Sequence, residues 1–141
     1  MALTAVITGA SGGIGLELAR EFARDGYDLV LVARSEDKLR TLARELGARG
    51  ITAHVLPLDL SDYRRAREVY AFCRTRNLEV AFLVNNAGFG DFRFFQFSNW
   101  EKQERMINLN ITALTYLTRL FLPDLVSRGA GRILHVASTA A

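Results

Sequence analysis

The segment TGASGGIG, residues 8–15, decides the fold of this chain. It follows the apolar run TAVIT at 4–8 and precedes apolar side chains at helical spacing, so it is predicted to join a strand to a helix. Gly9, Gly13 and Gly15 allow a tight turn, and the free N–H groups at the helix start face outward with the positive end of the helix dipole. The pyrophosphate of a dinucleotide fits such a turn; the alternative is an ordinary glycine-rich turn. No Lys-Ser/Thr pair follows the glycines, which excludes a P-loop.

The same order of strand and helix repeats along the rest of the sequence. Apolar runs predict strands at 4–8, 27–33, 51–58, 80–84 and 132–137. Amphipathic helices are predicted between them, with caps at Ser35 and Ser61 and a capping box formed by Ser98 and Glu101. A long helix follows that box, and Pro123 is expected to kink or end it. Such alternation predicts an α/β fold with a parallel sheet covered on both faces.

Composition narrows the class of protein. The chain has 141 residues, of which 50% are hydrophobic and 23% charged, so we expect one packed domain spanning 1–141 rather than a disordered chain. A net charge of +3 gives no argument for nucleic acid, and no apolar stretch is long enough for a membrane span. Cys73 stands alone and no Cys/His cluster has zinc spacing, so neither a disulfide nor a metal site is expected. These features favour a cytoplasmic protein.

Three motifs in register carry a resemblance to a known family. TGASGGIG, Asp59-Leu60 after the third strand and Asn85-Asn86-Ala87-Gly88 after the fourth closely resemble the classical short-chain dehydrogenase/reductase family. The resemblance implies a three-layer, Rossmann-type, doubly wound parallel sheet of strand order 3-2-1-4-5. It also implies that Asp59 lies near the adenine amino group, and that the sequence corresponds to an N-terminal portion that stops before the sixth strand.

The residue after the second strand indicates which cofactor is bound. An acid there would take the ribose hydroxyls of NAD, but this chain has Arg34, followed by Ser35. Because a guanidinium pairs well with a phosphate, NADP(H) is predicted over NAD(H); the alternative is that Arg34 is a solvated helix-start cation. The predicted cofactor-binding residues are Thr8, Gly9, Ser11, Gly13, Ile14, Gly15, Arg34, Ser35, Asp59, Leu60, Asn86, Ala87 and Gly88.

The resemblance also implies two catalytic residues. INLNITALTYLT is similar to the family helix that carries a catalytic Asn, which would be Asn110, with Asn108 as its near competitor. RILHVASTAA is similar to the fifth strand and the Ser after it, which would be Ser138. The family's Tyr-x-x-x-Lys pair does not occur in the 141 residues. We therefore expect the chain by itself to bind cofactor without turnover.

The sequence favours an NADP(H)-dependent oxidoreductase that interconverts an alcohol and a carbonyl. Its partners would be a small alcohol or carbonyl substrate and a second copy of the chain in a homo-oligomer. Because the fifth strand is expected to be an open apolar edge, the chain should associate with another copy, aggregate or be part of a longer polypeptide, and we favour the last. The alternative is a noncatalytic dinucleotide-binding sensor or partner-binding module. Five Phe within residues 89–97 suit either an apolar substrate wall or a satellite core under a loop.

Overall fold

Five strands alternate with helices in the computed structural model, which describes residues 2–138. The strands are β1 (Thr4–Thr8), β2 (Asp28–Ala33), β3 (Ala53–Pro57), β4 (Val80–Asn85) and β5 (Arg132–His135). The helices are α1 (Gly13–Arg24), α2 (Glu36–Gly47), α3 (Ala66–Thr75), α4 (Trp100–Ile107) and α5 (Leu114–Arg128). Short 3-10 turns precede α3 and α4, at Tyr63–Arg65 and Phe95–Phe97. Between residues 2 and 138, no helix has the length and apolar character needed to cross a membrane.

The strands form one sheet in the order β3-β2-β1-β4-β5, and every neighbouring pair is parallel. The predicted α/β class and strand order are therefore confirmed. The central strand β1 pairs on both sides, so that Val6 lies opposite Val30 and Leu83. Its five residues are all buried, which explains why it reads as a continuous apolar run rather than as an alternating one.

Two layers of helices cover the sheet and give two cores. On one face, Val6 and Leu83 pack with Leu117 and Phe121 of α5 and with residues of α3. On the other face, Ile7 packs with residues of α1 and α2. Each fully buried Leu or Val contributes about 1.5–3 kcal/mol to stability. The three-layer architecture follows from this division of side chains, since alternate residues of a strand point to opposite faces.

All five strands end at the same edge of the sheet because they are parallel. Their last residues are Thr8, Ala33, Pro57, Asn85 and His135. In open α/β sheets, ligands bind in the crevice outside the carboxyl ends of the strands. The segments that follow these residues carry every predicted site residue except Thr8, which ends β1, and Asn110, which lies in the helical region after β4.

The start of α4 differs from the predicted capping box. Asn99, not Ser98, is the N-cap, and its Oδ1 accepts a hydrogen bond from the Lys102 backbone N–H at 2.9 Å. The Ser98 hydroxyl instead donates to the Phe95 carbonyl at 2.7 Å. Asn and Ser are equally good caps, so the two adjacent candidates could not be separated by residue type.

The helix after this cap also differs from the prediction. The predicted single long helix consists of α4, a π-helical segment at Asn108–Ala113, and α5. Pro123 does not end α5, which continues to Arg128 and stops at Gly129, whose φ of +65° is left-handed. A Pro near the last turn removes only one hydrogen bond, and the packed face of α5 maintains the helix.

The Phe-rich segment does not form a satellite core. Phe92, Phe94, Phe95 and Phe97 are 69–93% exposed. The segment is nevertheless anchored, because the nearly buried carboxylate of Asp91 accepts a hydrogen bond from Lys102 Nζ at 2.9 Å. Of the two earlier interpretations, the core is therefore wrong, and the substrate wall stays a prediction.

Candidate functional site

The turn between β1 and α1 has the shape that the glycines predict. Gly9 and Gly13 adopt positive φ angles of +68° and +54°, where residues with a Cβ are strained. Gly12 is the N-cap of α1, no side chain caps the helix start, and its first turn contains no acid. A Cβ on Gly12 or Gly13 would meet nothing within 4 Å. The helix start is therefore uncapped and has open space beside it, as a diphosphate site requires.

The turn is interlocked with the segment after β4. A Cβ on Gly15 would lie 2.3 Å from the Gly9 carbonyl oxygen and 2.4 Å from Asn86 Nδ2. The same Nδ2 donates to the carbonyls of Thr8 and Gly9 at 3.0 and 3.2 Å. Asn86 therefore holds the glycine turn closed from the side of β4, and Gly15 is required because no side-chain atom fits at its position.

Thr8 joins the two central strands through its hydroxyl. Its Oγ1 donates to the Val84 carbonyl at 3.3 Å and accepts from the backbone N–H groups of Asn86 and Ala87, both at 3.0 Å. The residue is 1% exposed. The side chain of Thr8 therefore supports the site from inside, and the buried side chain of Leu60 likewise belongs to the core.

The charged groups at the edge lie at the ends of β2 and β3. Asp59 Oδ1 accepts hydrogen bonds from the backbone N–H and the hydroxyl of Ser61, at 2.9 and 2.7 Å. Partial burial opposes ionisation of Asp59, but these bonds, together with the charges of Arg105 and Arg34, hold its pKa below the usual range. Arg34 is exposed and close enough to act on Asp59. A cation thus stands where an NAD-binding protein of this fold has an acid.

Ser11 and Ile14 lie in the segment that follows β1, and Ser35 lies in the segment that follows β2. Ser35 is the N-cap of α2, but its hydroxyl makes no capping hydrogen bond. Ser11 lines a groove of about 390 Å³ between α1 and α2, together with Lys38. Ile14 is 61% exposed in the first turn of α1. An exposed apolar side chain beside an uncapped helix start is suited to contact a flat organic group.

Asn110 lies in the π-helical segment and contacts the loop after β4. Its Nδ2 donates to the Phe89 carbonyl at 2.9 Å and its Oδ1 accepts from the Phe89 N–H at 3.1 Å. A Cβ on Gly88 would stand 3.0 Å from that Oδ1. The side chain of Asn110 therefore packs against Phe89 and next to Gly88, one of the predicted cofactor-binding residues. π-Helical turns are frequent at functional sites, and the 3.6-residue pattern did not reveal this one.

Ser138 follows β5 by three residues and is exposed at the carboxyl edge. It therefore shares an edge with the glycine turn and with the loop that Asn110 contacts. Residues 139–141 lie outside the described part of the chain.

The interaction that sequence reasoning missed is between Asp59 and α4. Arg105 Nη2 donates to Asp59 Oδ2 at 3.3 Å, and Arg105 Nε donates to Ser61 Oγ at the same distance. The partners are separated by more than 40 residues, so no local pattern marks them. Arg105 links α4 directly to the end of β3.

Comparison with known proteins places the chain in a family. A family model described as "short chain dehydrogenase" matches residues 3–141. The chain is 36% identical over 135 residues to the oxidoreductase UcpA of Salmonella typhimurium, covering 96% of this chain and 51% of that protein. The chain belongs to the short chain dehydrogenase family.

Solved structures of similar proteins agree with this assignment. A short-chain dehydrogenase from Sphingobium yanoikuyae in complex with NADPH is 39% identical with a TM-score of 0.90, covering 97% of this chain and 54% of that one. The L-sorbose reductase of Gluconobacter frateurii, complexed with NADPH and L-sorbose, is 35% identical with a TM-score of 0.91, covering 98% and 53%. The chain spans about half the length of the relatives that it matches.

Proposed function

We propose that this chain is the cofactor-binding portion of an NADP(H)-dependent oxidoreductase that interconverts an alcohol and a carbonyl. The observation that carries the proposal is the uncapped start of α1, where the space beside Gly12 and Gly13 is open and the first turn contains no acid, together with exposed Arg34 after β2. Relatives solved with NADPH support the same cofactor class. When bound, the cofactor would supply the hydride.

Some residues of the site would bind the cofactor directly, and others hold the glycine turn in place. Backbone N–H groups at Gly13 and Ile14 would bind the diphosphate, because no side-chain cap or acid of α1 competes for them. Asp59 would accept from the adenine amine. Thr8 and Asn86 would act indirectly, because their side chains make hydrogen bonds that fix the glycine turn.

The catalytic roles of Asn110 and Ser138 are part of the proposal. An oxyanion that develops during carbonyl reduction needs donors already in place, and the Ser138 hydroxyl can supply one. Asn110 already uses one N–H and one lone pair of its amide on Phe89. We therefore propose that Asn110 acts from a rigid position. It would use the side-chain N–H and the lone pair that do not bind Phe89, or its own backbone groups.

Arg34 provides the sharpest test of the cofactor. NADPH fluorescence is titrated against wild-type chain and Arg34→Ala, with NADH in parallel. We expect wild type to bind NADPH more tightly, and Arg34→Ala to lose about tenfold in NADPH affinity with little change for NADH, because a charge-assisted contact to the 2′-phosphate disappears. Arg119→Ala, at an exposed position on α5, is the matched control. Tighter binding of NADH, or an unchanged preference in Arg34→Ala, refutes this assignment.

A noncatalytic dinucleotide-binding module remains the second candidate. The glycine turn and Arg34 would bind a dinucleotide in a protein with or without a Tyr-x-x-x-Lys pair, which supplies the proton donor of lowered pKa that carbonyl reduction needs. Both candidates predict that the chain binds NADPH without oxidising it when simple ketones are added. Turnover by a longer form of the protein that contains such a pair would decide for the enzyme.

We further propose that residues 1–141 form one domain in a cytoplasmic homo-oligomer that acts on a small, partly apolar substrate. Strand β5 pairs only with β4 in the described residues, and Leu134 on it is 41% exposed. The exposed Phe segment supports an apolar substrate, and the buried, unpaired thiol of Cys73 suits a reducing compartment. Sedimentation velocity over a range of concentrations tests association: a monomer throughout would contradict it.

A further inference from the structure

Three side chains form a closed ring of hydrogen bonds between α4 and the end of β3. Arg105 donates from Nη2 to Asp59 Oδ2 and from Nε to Ser61 Oγ, each at 3.3 Å. Ser61 in turn donates from its hydroxyl and its backbone N–H to Asp59 Oδ1. The ring therefore fixes both oxygens of the Asp59 carboxylate.

The ring leaves one acceptor position open. An ionised carboxylate offers about four lone-pair positions, two on each oxygen. Both positions on Oδ1 are taken by Ser61, and one on Oδ2 is taken by Arg105. The side chain of Asp59 is 39% exposed, so the remaining position on Oδ2 is accessible to a ligand that carries a single N–H donor.

We infer that Arg105 is a positioning residue for nucleobase recognition, which holds the Asp59 carboxylate so that the open position on Oδ2 accepts the exocyclic amine of adenine. The inference rests on the proposed function, in which Asp59 lies beside the adenine. Arg105 itself does not contact the base.

The geometry requires an arginine at this position. A planar guanidinium directs its Nε and Nη2 hydrogens along fixed, neighbouring directions, which allows one side chain to bind Ser61 and Asp59 together. A lysine ammonium has three rotatable donors on a flexible stem, so it does not hold the two partners in one fixed relative orientation. The Arg105 side chain is 50% exposed, and exposed ion pairs contribute little to folding stability. Its removal should therefore change ligand selectivity more than stability.

Base selectivity tests the inference. NADPH and the reduced nicotinamide hypoxanthine dinucleotide phosphate, in which an oxygen replaces the 6-amino group, are titrated by fluorescence against the 141-residue chain. A carboxylate accepts from the amine and repels the oxygen, so we expect wild type to prefer NADPH by about tenfold or more. Arg105→Met and Arg105→Lys should lower that preference to about threefold or less. Arg119→Met on α5 should leave it unchanged.

A second variant keeps the test independent of how Arg105→Met folds. Ser61→Ala removes the hydroxyl between Arg105 and Asp59 but keeps the backbone N–H, and it should also reduce the preference for NADPH. A wild-type preference retained in Arg105→Met, or retained in full by Arg105→Lys, overturns the inference and leaves NADPH binding intact. Equal binding of the two dinucleotides by wild type also overturns it, whereas absence of NADPH binding overturns the proposed function as well.

Discussion

Replacing Gly15 with Ala should loosen the interlocked turn. The new Cβ would lie 2.3 Å from the Gly9 carbonyl oxygen, about 1 Å closer than the 3.4 Å at which ordinary contact begins. The neighbour is backbone and cannot rotate away. Overpacking of this kind costs about 1–3 kcal/mol, and the better helix propensity of Ala recovers about 0.5–1 kcal/mol. With the middle of each range, the net expectation is a loss of about 1 kcal/mol in the free energy of unfolding.

That loss corresponds to a melting temperature lower by roughly 2–6 °C for a domain of this size. Thermal unfolding followed by circular dichroism measures this change in melting temperature. NADPH titration measures the effect of the substitution on cofactor binding. Because Gly9 and Asn86 have to move apart, we expect NADPH affinity to fall by at least about tenfold.

Gly47→Ala is the matched control for this substitution. Gly47 is also helical, at the end of α2, and an added Cβ there would meet nothing within 4 Å. The same change should therefore raise the melting temperature slightly, by the helix propensity of Ala alone. If Gly15→Ala melts at or above the wild-type temperature and binds NADPH equally well, the reasoning about the interlock is refuted.

Three further predictions follow from buried or paired groups. Thr8→Val leaves the N–H groups of Asn86 and Ala87 without their acceptor, so urea titration should show unfolding easier by about 2–4 kcal/mol, whereas Thr8→Ser should retain most of the stability. Because the pKa of Asp59 is lowered in the folded protein, its carboxylate contributes stability above the unfolded pKa of about 3.9, and this stability is lost as the pH falls through the folded pKa. In Asp59→Asn, the melting temperature should therefore fall less steeply with pH below about pH 4. A pH profile equal to that of wild type would contradict this expectation. Burial raises the pKa of the Cys73 thiol to about 12, so a disulfide reagent at pH 8 should react with it only after unfolding in guanidinium, and rapid reaction in the native protein would count against this burial.

The strands were predictable because a buried parallel strand appears in the sequence as a continuous run of apolar residues. Each predicted strand occurs, with ends that agree or differ by at most two residues. The third strand begins at Ala53 rather than Ile51, since the Thr52 N–H bonds to the side chain of Asp28 instead of to the ladder. Strand ends depend on such tertiary contacts, which no local pattern contains.

The glycine turn was also predictable, but its supports were not. Positive φ at Gly9 and Gly13 follows from residue type and context. The hydrogen bonds of Thr8 and Asn86 and the ring around Arg105 join residues that are 44 or more positions apart. These pairs become visible only when the order of the strands is known.

The π-helical segment shows what the periodicity of apolar residues cannot detect. The apolar stripe from Ile107 to Phe121 fits a continuous α-helix, and a single wider turn at Asn108–Ala113 changes that stripe too little to be detected. Asn110 in this wider turn contacts Phe89, which is 21 positions away, and such a tertiary contact leaves no mark in the local pattern.

The contact of Gly9 and Gly15 with Asn86 has a consequence for how this protein can evolve or be redesigned. Mutations at these three positions should be strongly epistatic, because each residue fits only the present form of the other two. A drifting lineage would have to alter both chain segments together, and an engineer who transplants the nucleotide loop into another scaffold must transplant the asparagine with it.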